Sequence, residues 1–132
     1  MLKLTAKRTR WFPVPQDPSG ETQIEILHLK PGEVSDIEAQ SNQITGKQLG
    51  GGDTDFVTEI DFKLNERSKK FVMRAVVGWK GFADIKGKPL KCSDITKAQV
   101  LKEFGWFSEF VEQCRKELAE EVASEEEEAE KN

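Results

Sequence analysis

Asn65–Ser93, NERSKKFVMRAVVGWKGFADIKGKPLKCS, is the stretch whose reading decides the fold. Phe71, Val72, Ala75, Val76 and Trp79 recur at the i, i+3, i+4, i+7 spacing of a buried helical face, and Asn65 is a good N-cap ahead of them. Arg67, Lys69, Lys70, Arg74 and Lys80 occupy much of the opposite face. Gly78 and Gly81 bracket the expected C-terminus, where glycine accepts left-handed cap geometry. The spacing therefore predicts a helix ending in a Trp79-bearing turn. A tight hairpin or loop around Lys86-Gly87 follows, across residues 82–91.

Upstream, Phe56, Thr58, Ile60, Phe62 and Leu64 alternate with Val57, Glu59, Asp61 and Lys63, which predicts a half-buried strand. The alternative is that these residues begin the next helix. Residues 42–55 are polar with four glycines and read as a mobile Gly-rich loop. Pro31 suits the first turn of a short helix carrying Val34, Ile37 and Ser41, with Glu33 and Asp36 at its dipole-favoured start. Two strand-like runs precede it, RTRWFPV (8–14) and ETQIEILHL (21–29), joined by the turn-forming QDPSG (16–20). They predict an N-terminal hairpin with Trp11 as the anchor of its first strand; residues 1–7 form a flexible arm.

Downstream, Ser93 or Thr96 caps a helix with the stripe Ile95, Val100, Leu101 and Phe104. Gly105 breaks it. A last helix carries Phe107, Phe110, Val111, Cys114, Leu118 and Val122 at helical spacing. The expected architecture is a single α+β domain over residues 8–122: an N-terminal β-hairpin plus one further strand, packed with three to four helices. Residues 123–132 are expected to be a disordered acidic C-terminal tail.

Charge is unevenly spread. The net charge is −4, but residues 117–132 hold eight Glu and one Lys, so residues 1–116 are mildly basic. Blocks of like charge such as 125–128 repel themselves and stay solvated. The chain is long enough to bury roughly 65–70% of its unfolded surface without staples. No apolar run is long enough to span a membrane, and residues 1–10 lack the apolar stretch of a secretory signal. Cys92 and Cys114 lack CxxC spacing, so a reducing cytoplasm with free thiols is expected.

Candidate chemistry is sparse. Gly46-Lys47 and the run 50–52 lack the spacing and the strand–loop–helix context of a phosphate loop. Asp53 and Asp55 have no calcium-loop ligand set after them. His28 is the single histidine, with no zinc ligands at suitable spacing and no nucleophile to serve. Catalytic, metal and cofactor residues are therefore all expected to be none. Trp79, Lys80, Lys86, Lys88 and Lys91 resemble a basic aromatic nucleic-acid surface, but Trp79 fits the buried stripe and the overall acidity opposes phosphate binding. Trp106, Phe107 and Phe110, with Phe104, form a dense aromatic patch, and an exposed part of it would suit a partner protein. The candidate contact residues are Trp79, Phe82, Trp106, Phe107 and Phe110.

One resemblance extends this reading. Val77-Gly78-Trp79-Lys80-Gly81, Asp84, Gly87-Lys88-Pro89-Leu90, Ser93 and Val100-Leu101 resemble the pattern of the small tail assembly chaperones of long-tailed phages and prophages. The layout RTRWFPVP…ETQIEILHLKPGE is similar as well, so the likeness spans about two-thirds of the chain. The glycine-rich segment 46–52 and the length of the glutamate tail depart from it. The resemblance implies a non-enzymatic protein in the host bacterial cytoplasm that binds the tape-measure protein and keeps it soluble during tail assembly. A structural virion component, such as a tail-completion or head–tail connector protein, is the alternative; a small nucleic-acid-binding regulator is a further one.

Overall fold

The two N-terminal runs form the expected hairpin. In the computed structural model, β1 (Thr9–Pro13) pairs antiparallel with β2 (Gln23–Leu27), with Phe12 opposite Ile24 and Trp11 opposite Glu25. The Asp17 carboxylate organises the turn. One oxygen accepts the Ser19 N–H and hydroxyl, and the other accepts the Thr22 N–H and hydroxyl, all at 2.7–3.0 Å. Strand alternation then sends Phe12, Ile24 and Ile26 into the core and Trp11 to the other face. Trp11 is thus not the core anchor of its strand. It is 42% exposed, and the Lys80 ammonium lies 5.1 Å from its ring centroid.

The structure describes the backbone of residues 1–48 and 56–131 and the side chains of residues 1–41 and 66–129. Helix α1 (Pro31–Gln48) starts at Pro31 as expected but continues through the first half of the segment read as a loop; residues 49–55 of that segment lie outside the described residues. Helix α2 (Phe56–Ala75) corrects the strand expected over 56–64 and places Asn65 within the helix rather than at its cap. Arg67 pairs with Glu38 at 2.7 Å and Arg74 with Glu33 at 3.5 Å, so α1 and α2 run antiparallel.

The third strand is β3 (Val76–Lys80), taken from the end of the expected helix. The sheet order is β1-β2-β3, all antiparallel. Glu25 faces Gly78 while Ile26 faces Val76, so Val77 is the extra residue of a bulge. That bulge turns both Val76 and Trp79 inward, three residues apart, and imitates a helical stripe.

Residues 81–92 form a small hairpin closed by the Ala83–Pro89 bridge, with Gly87 at φ 85° and the Asp84 carboxylate accepting from the Lys86 and Lys88 amides. Helix α3 (Asp94–Glu103) has Ser93 as its N-cap in a capping box with Thr96. Its inward residues are Lys97 and Val100, while Ile95, expected in the stripe, is 75% exposed. Lys97 crosses to donate to the Met73 carbonyl at 3.1 Å, satisfying an orphan acceptor in the last turn of α2.

Helix α4 (Phe107–Lys131) continues through the glutamates expected to be a disordered tail. Glu121 and Glu125 both accept from Arg8, and Glu117 and Glu121 both pair with Arg10. Phe71, Phe107, Val111 and Leu118 are completely enclosed, so α2 and α4 meet over the inner face of the sheet. Arg115 covers the Phe71 ring from 3.9 Å. Among the described residues, no helix is long and apolar enough to cross a membrane.

Candidate functional site

The five candidate contact residues lie in one chain of ring contacts. Trp79 meets Phe82 at 4.9 Å between centroids, Phe82 meets Phe107 edge-on at 5.8 Å, and Phe107 meets Trp106 at 6.0 Å. Trp106 then meets Phe110 at 6.3 Å, and Phe104 joins through both Phe82 and Trp106. Aromatic pairs of this tilted or edge-on kind favour a fixed arrangement.

Burial divides them. Phe107 is fully enclosed, and Trp79 and Phe82 are nearly so. Trp79 also donates its indole N–H to the Leu90 carbonyl at 2.9 Å, which ties the 81–92 hairpin to the sheet. These three are core residues. Trp106, Phe104 and Phe110 are only partly buried.

Trp106, Phe104 and the edge of Phe82 line a cleft of about 610 Å³. Val14, Ala83, Leu90 and Val100 add to its apolar lining, and Ile85, also lining it, is fully exposed. The walls come from the β1–β2 turn, the 81–92 hairpin and the C-terminal end of α3. Phe110 points instead into a second depression of about 430 Å³ against β1, with Phe12, Pro13 and Cys114. The sequence reading names five rings that pack as one cluster, of which Trp106 and Phe110 are partly buried and the other three enclosed or nearly so. It omits Ile85, whose signal was an aliphatic side chain alone in a polar turn, ADIKGK.

The close approaches around the cleft are specific. A Cβ on Gly81 (φ +91°) would lie 2.5 Å from the Thr22 Cα, so the hairpin base and the Asp17 turn touch backbone to backbone. Hydrogen bonds from Ser19 and then Thr22 hold the Asp17 carboxyl down at about 2, so this lining residue is anionic at neutral pH.

Among the described residues, the two cysteines are the other groups whose protonation is clearly shifted. Cys114 is free and buried; desolvation pushes its thiol up to about 12, with the Glu117 charge acting in the same direction. Burial also raises Cys92. Among the described residues, no three His, Cys, Asp or Glu side chains stand close enough together to hold a metal ion. Comparison with protein-family models, curated proteins and solved structures gives no match to this chain.

Proposed function

We propose that this chain is a non-enzymatic protein-binding factor of the tail assembly chaperone type. In this reading it holds a segment of the phage tape-measure protein soluble in the host bacterial cytoplasm. The observation that carries the reading is the aromatic and aliphatic cleft, with Ile85 fully exposed in its lining. An apolar groove continued onto an exposed aliphatic side chain suits the apolar face of an amphipathic helix, which would be aggregation-prone if left uncovered. The charged periphery supports the same role, since surface glutamates favour solubility.

The test is co-expression with the tape-measure protein encoded in the same genome. The two should co-purify, and the tape-measure protein should shift from the insoluble to the soluble fraction. Ile85→Asp should reduce co-purification while leaving the melting temperature unchanged, because Ile85 contributes no buried area. Absence of both co-purification and solubilisation with the wild-type chain would remove the chaperone reading. Recovery of the chain in purified particles would favour the structural-component alternative.

A further inference from the structure

Among the described residues, the charges lining the cleft are all of one sign: Asp17, Asp84 and Glu103 line it, and no Lys, Arg or His does. This contrasts with residues 1–116 as a whole, which are net basic. Lys86 and Lys88 are exposed on the same hairpin but do not line the cleft. The backbone adds to the bias: the C-terminal end of α3, the negative pole of its dipole, forms one wall through Val100, Glu103 and Phe104. The floor is apolar, from Phe82, Phe104, Trp106 and Leu90. Apolar floor and anionic rim together define a complementary ligand with an apolar face flanked by cations.

We propose that the cleft selects a basic amphipathic helix of a partner protein, with its apolar residues on the aromatic floor and Lys or Arg side chains against Asp17, Asp84 and Glu103. This rests on the reading of the cleft as a protein-docking groove and specifies the chemistry of what docks. Rim charges act mainly through selection and long-range attraction, so opposite charge favours the right partner and like charge repels the wrong one.

The experiment uses the full chain and two fluorescein-labelled helical peptides of about 18 residues, roughly five turns. Both carry the same Leu face; one has Lys and the other Glu on its flanks. Fluorescence anisotropy at low ionic strength should give the Leu–Lys peptide an affinity at least about tenfold higher, the scale of a few partly screened charge pairs. Glu103→Lys should narrow that gap at least about threefold, since Glu103 is exposed and its exchange leaves the core intact. Glu120→Lys changes net charge identically on an exposed α4 position outside the cleft and should leave the gap nearly unchanged. Equal narrowing by both variants would overturn the proposal by showing attraction to the whole acidic molecule. Equal affinity for the two peptides, abolished by Ile85→Asp, would overturn the selectivity and leave the docking groove standing. Binding of neither peptide would overturn both.

Discussion

Gly81 and Gly87 both have left-handed backbone, at φ 91° and 85°, yet they should answer differently to a methyl group. At Gly87 nothing lies within 4 Å of a new Cβ, so Gly87→Ala carries only backbone strain of about 1 kcal/mol. At Gly81 the same strain combines with a clash against the Thr22 backbone, which cannot swing away as a side-chain tip can. Gly81→Ala should therefore cost about 3 kcal/mol or more, read as the shift in urea midpoint at constant slope. Equal costs would mean that the turn and the hairpin base do not touch. Asp17 belongs to the same contact. Its folded pKa is depressed, from 3.8 to about 2, so the stabilisation it provides is complete above its unfolded value and disappears as pH falls from about 4 toward 2. Asp17→Ala should be less stable than the parent at pH 7, and the difference should shrink across that window when urea midpoints are compared.

The junction of α2 and β3 depends on one cation from another helix. The Lys97 side chain is nearly buried, and its ammonium reaches the Met73 carbonyl, one of the acceptors that α2 leaves unpaired where it stops at Ala75. Lys97→Met keeps the stem and removes the donor. It should cost about 1–3 kcal/mol in urea unfolding, the range for a charged hydrogen bond to a part-buried acceptor. This junction is also where sequence reasoning met its limit. The β1–β2 hairpin was legible because QDPSG has turn chemistry and the flanking runs alternate. The starts of α1 and α3 were legible from Pro31 and Ser93. The third strand was not, because the bulge at Val77 gives Val76 and Trp79 an i, i+3 spacing that local pattern alone assigns to a helix. The opposite error occurred at 56–64, where Phe56, Ile60 and Leu64 fit both an i, i+4 row and strict alternation. Which period prevails depends on which segment reaches β2, a long-range fact that no window contains. The candidate site was half legible for the same reason: aromatic spacing identified the cluster, but only the packing of α4 on the sheet separates Trp106 and Phe110 from enclosed Phe107.

At the scale of the molecule, the two ends of the chain are held together by charge. Arg8 and Arg10 are two residues apart at the start of the sheet, and Glu117, Glu121 and Glu125 are spaced by four along α4, so each set presents one face. Arg8 alone bridges Glu121 at 3.1 Å and Glu125 at 2.6 Å. These side chains are between 36% and 60% exposed, so each pair contributes at most about 1 kcal/mol and is screened by salt. Beyond Val122 the described residues of the helix present no buried apolar face, and its glutamates repel one another. Its last turns therefore depend on the two arginines more than the fold does. The double variant Arg8→Ala, Arg10→Ala should lower global stability by no more than about 2 kcal/mol. Amide exchange after Val122 should accelerate several-fold, with helical circular dichroism reduced accordingly, because the pairs to Arg8 and Arg10 tie to the sheet a helix end whose described side chains are all exposed. In the parent chain, 1 M salt should weaken these pairs and accelerate exchange there, whereas in the double variant, where glutamate repulsion is left to screen, it should slow it. Exchange after Val122 that is indifferent to both the arginines and salt would show that the end of α4 persists without these pairs.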